Sequence, residues 1–163
     1  MENRIHNFFK RNSLSENAFV KQVPLLKTLT NRELARIEEM MHERSYEPGE
    51  FIFHIHQPGA AIFFIKEGDV RVFIPADTLG DNDNMEKKDI EIAVLQRGEF
   101  FGELALLDNS PRSASVMAKT PTEVMAIFRG DFEELLIKDP VVSSKINRQL
   151  AIMIGRRLKE ANY

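Results

Sequence analysis

The spacing of apolar residues predicts helices at both ends of the chain. Near the N-terminus, Thr30 and Glu33 form the pattern of a capping box, which is typical of a helix start. Apolar residues then recur every three or four positions, as on one face of an amphipathic helix: Leu34, Ile37, Met40 and Met41. Near the C-terminus, a short helix after Asp131 and a longer one after Pro140 are predicted, because proline is tolerated in a first helical turn. The longer helix carries a broad apolar stripe: Val142, Ile146, Leu150, Met153, Ile154 and Leu158.

Between these ends, short apolar segments alternate with turns. Val70, Val72 and Ile74 occupy every second position, so they share one face of a strand. Prolines and glycines mark the turns. The predicted strands cover residues 51–55, 61–66, 69–74, 90–95, 112–118 and 123–128, with a polar loop over 75–88. Several short strands at regular spacing indicate a sandwich, a barrel or a jelly roll.

Length and composition narrow the class of protein. The chain has 163 residues, of which 43% are hydrophobic, as expected for one folded domain. It contains no cysteine, which excludes disulfides, a thiol nucleophile and cysteine metal sites. The net charge of −3 does not indicate direct binding of nucleic acid. No apolar run approaches the roughly 18 residues of a membrane span, and the N-terminus lacks a secretory pattern. We therefore expect a cytoplasmic protein without a membrane span.

The segment over residues 100–118 carries the candidate chemistry. Gly102 allows the backbone to approach a ligand closely, and residues 103–107 can form one helical turn whose first N–H groups suit an anion. Arg112 offers a planar fork of donors to a phosphate. Glu103, when ionised, accepts hydrogen bonds and therefore suits a sugar hydroxyl. Together these groups fit a phosphate fused to a ribose.

This segment resembles the phosphate-binding cassette of the cyclic nucleotide-binding domain family. The resemblance rests on Phe101-Gly102-Glu103-Leu104-Ala105 and, at the family's spacing, on Pro111-Arg112-Ser113-Ala114-Ser115-Val116. It extends over about residues 20–163 and implies a mainly β fold of about eight strands, a double-stranded β-helix or jelly-roll-like β-roll. The expected order is a helical extension (1–19), N-terminal helices (20–45), the β-roll (46–129) and two C-terminal helices (130–163), all in one domain. The family's further segments do not follow Tyr163, which suggests a binding domain alone or one cut from a longer chain.

The resemblance also implies a role for individual residues. Arg112 would pair with the phosphate, and the N–H groups of Ala105 and Ser113 would reach the same group. Glu103 would accept from the ribose 2′-hydroxyl, helped by the backbone of Gly102. These residues would bind a cyclic nucleotide, cAMP or cGMP, and cAMP is the expected ligand. Neither a cofactor nor a metal is expected. Ser113 leaves the choice of base open, because a hydroxyl at that position occurs with both nucleotides.

The last helix is expected to cover the base. Val72 or Ile74 would lie against the base from the sheet side, and the helix after Pro140 would close over it. Its Arg156-Arg157-Leu158 turn resembles one in the bacterial catabolite activator proteins, where hydroxyl residues just beyond it contact the adenine amino group. Carried over, that contact falls to Asn162, with Tyr163 in stacking reach of the base. The wide apolar stripe also allows a homodimer through this helix.

One departure from the family and two alternative functions follow from the residues. His56 stands where the family commonly has glycine, and a histidine with positive φ would be strained. His54 and His56 share one strand face, as in the metal sites of cupin enzymes, but no histidine follows them and alanines replace the expected glutamate. A metal enzyme, and indeed any enzyme, is therefore disfavoured. A scaffold that binds no nucleotide is the other alternative, and the output partner is not identified.

Overall fold

Eight strands are accompanied by helices in the part of the chain that the structure describes. The computed structural model describes residues 18–78 and 88–162. The strands are β1 (His42–Tyr46), β2 (Phe51–Phe53), β3 (Ala61–Glu67), β4 (Val70–Ile74), β5 (Ile90–Leu95), β6 (Phe100–Phe101), β7 (Ser115–Ala118) and β8 (Thr122–Phe128). The helices are α1 (Asn31–Glu39), α2 (Leu104–Leu107), α3 (Arg129–Lys138) and α4 (Pro140–Ala161), and a 3₁₀ turn spans Pro24–Leu26.

The strands form two four-stranded antiparallel sheets. One sheet has the order β1-β8-β3-β6 and the other β2-β7-β4-β5. Apart from β4 and β5, neighbouring strands are not consecutive in sequence, which is typical of a jelly roll rather than a simple meander. The predicted class, a mainly β jelly-roll-like β-roll with helices at both ends, is confirmed. Among the described residues, no helix is long and apolar enough to cross a membrane.

Strand β3 separates two apolar layers, because every residue from Ala61 to Ile65 is buried. Ile62 and Phe64 belong to the larger layer, where the helices pack on the outer side of the first sheet. Phe63 and its alternate neighbours belong to the smaller layer between the sheets, together with Phe101. Burial on both faces explains why this strand has an unbroken apolar run instead of an alternating pattern.

The N-terminal helix is tied to α4 at two points. As predicted, Thr30 and Glu33 form a capping box, in which Thr30 Oγ1 accepts from the Glu33 N–H at 3.3 Å and Glu33 Oε2 accepts from the Thr30 N–H at 2.8 Å. Glu33 also pairs with Lys145 Nζ at 2.9 Å, and hydrogen bonds from Lys145 and Thr30 lower the pKa of its carboxyl group. Arg36 pairs with Asp139, which caps the N-terminus of α4. These contacts hold α1 against the first turns of α4.

Several element boundaries differ from the predictions. The helical region expected up to residue 45 is wrong at its end, because α1 ends at Glu39 and β1 pairs with β8 from His42 to Tyr46. This strand has little apolar alternation because it is an exposed edge strand. The strand expected from residue 112 begins at Ser115, and β6 was not predicted. The predicted extension before residue 18, most of the loop over 75–88 and Tyr163 lie outside the described residues.

Substitution of two glycines by alanine should separate backbone strain from helix propensity. Gly68 has φ +87°, and an added Cβ atom would lie 2.3 Å from the carbonyl oxygen of Pro121. We expect Gly68→Ala to lower the free energy of unfolding by about 2 to 4 kcal/mol. Gly155→Ala, where no atom lies within 4 Å of the added Cβ in α4, should raise it by about 0.5 to 1 kcal/mol. Urea denaturation measures both, and equal effects would contradict the packing described for Gly68.

Candidate functional site

A cavity of about 570 Å³ opens between the second sheet, the segment around α2 and the last turns of α4. It is therefore within the size range of small-molecule sites. Of the predicted site residues, the structure brings seven to its wall: Val72, Gly102, Glu103, Leu104, Ala105, Arg112 and Ser113. Ile74 and Asn162 do not line it.

Arg112 forms the inner end of the cavity. Its guanidinium donates from Nη1 to the carbonyl oxygen of Gly102 at 3.1 Å and from Nη2 to that of Ala61 at 2.9 Å. The Cζ atom lies 4.0 Å from the centre of the Phe53 ring. Two carbonyl groups and an aromatic face fix the orientation of the side chain, which is only 8% exposed.

The charge of Arg112 has no direct counter-charge. None of the ion pairs among the described residues includes Arg112, and its buried Nε atom has no hydrogen-bond partner there. Burial lowers the pKa of the guanidinium, as does the positive charge of Arg129, while Glu103 acts in the opposite direction. A buried cation without a counter-ion is unfavourable. The cavity is therefore prepared for an anion.

Gly102 allows the backbone to reach Arg112. Its φ of +77° is a left-handed conformation that favours glycine, and an added Cβ atom would lie 2.7 Å from Arg112 Nη1. The Gly102 carbonyl also accepts from the Ala105 N–H at 3.2 Å, which begins the turn of α2. The N–H expected to reach a phosphate is thus partly engaged within the protein itself.

Helix α4 is joined to the site through Arg157. Its Nη1 lies 3.4 Å from Glu103 Oε1, and its Nη2 donates to the carbonyl oxygen of Phe100 at 2.8 Å. Its Cζ lies 4.2 Å from the centre of the Phe100 ring. From the sequence, Arg157 stands out only as part of an arginine-rich turn. Glu160 was not predicted as a site residue, but it also lines the cavity and lies three residues further along the same helix.

The outer part of the cavity is apolar on the sheet side. Val72 from β4 and Ile92, Ala93 and Leu95 from β5 form this wall. The expected alternative, Ile74, does not line the cavity, whereas Ile92, the extra residue of β5 at the register shift opposite Val72 and Phe73, does. Asn162 lies beside a separate shallow depression near Gly155 and Leu158.

The two histidines of the predicted pair, His54 and His56, lie outside the cavity. His54 stacks on Phe51 with ring centres 4.0 Å apart. His56 has φ 70°, so the strained conformation considered from the sequence is present. Its N–H donates to the carbonyl oxygen of Arg112 at 2.8 Å, and the Arg112 N–H donates to Gln57 at 2.8 Å. Within residues 18–78 and 88–162, no group of three or more potential metal ligands is found.

A β-roll with a buried cation at one end of a cavity and an apolar wall at the other defines a binding module for a small organic anion. The sequence profile of the cyclic nucleotide-binding domain matches residues 43–139. The chain belongs to the cyclic nucleotide-binding domain family.

Relatives of known type support this assignment. The regulatory subunit of cAMP-dependent protein kinase from Aspergillus fumigatus is 38% identical over 130 residues, which cover 78% of this chain and 28% of that protein. The cyclic AMP receptor protein of Thermus thermophilus is 33% identical over 143 residues, covering 88% of this chain and 61% of that one. The crystal structure of the Thermus thermophilus catabolite activator protein superposes with a TM-score of 0.71 and 32% identity, over 85% of this chain and 60% of that chain.

The chain spans only part of the relatives that it matches. A potassium channel protein of Rhodopseudomonas palustris is 32% identical over 149 residues, which are 91% of this chain but 34% of the channel protein. The matched region is thus only part of each of these relatives.

Gly102→Ala should test the close approach between Gly102 and Arg112. Gly98 is the matched control, because it also has positive φ (+85°) but no atom within 4 Å of an added Cβ. Both variants incur backbone strain of about 1 to 2 kcal/mol, and Gly102→Ala should lose about 1 to 3 kcal/mol more, because Arg112 must move. Urea denaturation gives the free energies, and the NMR signals of the Phe53 ring report the displacement of Arg112. Equal losses and unchanged Phe53 signals would contradict this geometry.

Proposed function

We propose that this protein is a regulatory module that senses a cyclic nucleotide, specifically cAMP, and couples binding to movement of α4. The observation that carries the proposal is Arg112, a buried cation without an ion-pair partner among the described residues, at the inner end of the cavity. A cyclic phosphate supplies both the negative charge and the acceptor atoms that the guanidinium lacks.

In the proposed complex, the phosphate lies between Arg112, the N–H of Ser113 and the turn at Ala105. The ribose 2′-hydroxyl donates to Glu103, whose carboxylate lies on the cavity wall. The base extends outward along Val72 and Ile92, whose apolar side chains offer a surface on which a purine can be buried. This order of polar and apolar groups along the cavity matches the order of groups along a cyclic nucleotide.

Adenine as the base is supported by the relatives and by the outer end of the cavity. The kinase regulatory subunit and the Thermus receptor are both named for cAMP. Glu160 and the backbone of Ala161 offer acceptors to an exocyclic amino group. Asn162 would reach the base only after the end of α4 has moved, because it lies outside the cavity in this structure.

Movement of α4 follows from the position of Glu103. This carboxylate pairs with Arg157 of α4 and is also the proposed acceptor for the ribose. A ligand that contacts Glu103 and the end of α4 therefore binds differently to different positions of the helix, which is the condition for a population shift. A cytoplasmic location and a homodimer through the exposed Ile152 and Leu158 of α4 are further parts of the proposal. No metal or cofactor is required in it.

Replacement of Arg112 should abolish tight binding. Arg112→Ala removes the charged partner of the phosphate and should weaken cAMP binding by roughly 2 to 5 kcal/mol. Arg112→Lys should also bind less tightly, because an ammonium group cannot form the forked contact. Isothermal titration calorimetry with cAMP and cGMP measures both affinities, and Arg148→Ala on the exposed side of α4 is the control. Equal affinity of wild type and Arg112→Ala would show that the site is assigned wrongly.

Replacement of Arg157 should loosen the end of α4. Arg157→Gln removes the contacts to Glu103 and Phe100 and should weaken cAMP binding about threefold to tenfold, the equivalent of one ordinary hydrogen bond. Amide hydrogen exchange over residues 155–162 should become faster in the ligand-free protein. The neighbouring Arg156→Gln is the control, because Arg156 is exposed and does not line the cavity. If the two variants behave alike, Arg157 does not couple α4 to the site.

A further inference from the structure

Helix α2 is short, and one of its leucines, Leu106, packs against the larger apolar layer. It contains only four residues and no side-chain cap, and Ala105 is its only buried residue. Leu104 and Leu107 are 43% and 53% exposed. Such a short helix is not stable without tertiary contacts. Its fixed position beside Arg112 therefore requires an anchor elsewhere in the chain.

Arg129, the first residue of α3, supplies that anchor. Its Nε donates to the carbonyl oxygen of Ala105 at 2.6 Å. Its other two nitrogens donate to the side chain of Asn109 and to the carbonyl oxygen of Gly59, and its own N–H donates to Ala60 at 2.8 Å. One side chain thus joins α2, the loop after it and the start of β3.

Arg112 and Arg129 bridge the same two segments side by side. Arg112 joins Gly102, just before α2, to Ala61, while Arg129 joins Ala105, within α2, to Gly59. The segments are closely packed, since a Cβ atom on Gly59 would lie 3.0 Å from the Cβ of Ala105. Loss of either bridge would therefore leave one side of this contact without support.

The two guanidinium groups also act on each other through their charge. No ion pair among the described residues includes Arg129, and its charge opposes protonation of Arg112. The positive charge of Arg129 also acts on the exposed carboxylate of Asp108. An anion bound beside Arg112 therefore relieves the repulsion between two cations.

We infer that Arg129 is a positioning residue of the phosphate site: it fixes α2 against β3 and adds a second positive charge near the bound anion. The ligand in this inference is taken from the proposed function, whereas the anchoring of α2 by Arg129 does not depend on that function. Because both nucleotides carry the same cyclic phosphate, loss of Arg129 should affect cAMP and cGMP equally.

The test compares Arg129→Gln and Arg129→Lys with Arg148→Gln, which removes the same charge from the exposed side of α4. Amide exchange in the ligand-free protein is read at Leu106 and Asp108, whose N–H groups close the turn of α2. In Arg129→Gln we expect at least about tenfold faster exchange there, unchanged exchange in β3 and β8, and about tenfold weaker binding of both nucleotides, the equivalent of one charge-assisted hydrogen bond. Arg129→Lys should recover part of the affinity through its charge, whereas α2 should still exchange rapidly.

Two results would overturn the inference. One is that Arg129→Gln keeps both the amide exchange rate in α2 and the affinity for the nucleotides within twofold of the wild-type values. The other is faster exchange throughout the chain, or an affinity loss for only one nucleotide, because either would indicate a general structural or a base-specific role. If wild-type protein and Arg148→Gln bind neither nucleotide, the proposed function fails, and the exchange rates still decide the anchoring without a ligand.

Discussion

The buried guanidinium of Arg112 is the group on which the arrangement of the site depends. It occupies the inner end of the cavity with two carbonyl oxygens and an aromatic ring as its partners. Gly102 must lack a side chain to make room for it. Burial of a cation without an anion weakens a fold rather than stabilising it. In the proposed function, the ligand would supply the missing negative charge.

Strand β3 contributes to both the apolar core and the site, so the core and the site depend on the same strand. Strand β3 supplies buried residues to both apolar layers, and the carbonyl oxygen of its first residue, Ala61, accepts from Arg112. The adjoining Gly59 accepts from Arg129. The end of the cavity proposed for the phosphate is therefore joined to the core through β3 and the residue before it. The opposite end is closed by the last turns of α4, which are joined to it by Arg157. A site that is joined to the core and has a separately attached cover is suited to convert binding into movement of a helix.

Sequence alone predicted most of the architecture, because much of it follows local rules. The capping box at Thr30, the proline start of α4 and the apolar strands of the β-roll were all read from spacing. Strand β1 was not, because an exposed edge strand of polar residues has no period to detect. The cassette residues form a contiguous motif, and seven of the nine predicted site residues lie on the cavity wall.

The rest of the site depends on long-range contacts that no local pattern contains. Ile92, the extra residue of β5 at a register shift, lines the cavity, whereas the predicted Ile74 does not. The position of Glu160 depends on how α4 lies across the cavity, and Arg129 contacts α2 across 24 positions of sequence. The contribution of such residues to the site can be recognised only from the folded structure. Relatives that contain this domain are named as a kinase regulatory subunit, a potassium channel protein and a receptor, and the matched region covers 28%, 34% and 61% of their lengths, respectively.

The central claim, that an anion of the ligand neutralises Arg112, is tested most directly by the NMR signal of its Nε–H group. In the free protein this buried N–H has no hydrogen-bond partner among the described residues. Titration with cAMP should shift this signal strongly and saturate at one equivalent, as expected for a new hydrogen bond to an anionic acceptor. If cAMP binds while the Arg112 Nε–H signal stays unchanged, the phosphate lies elsewhere and the account is contradicted.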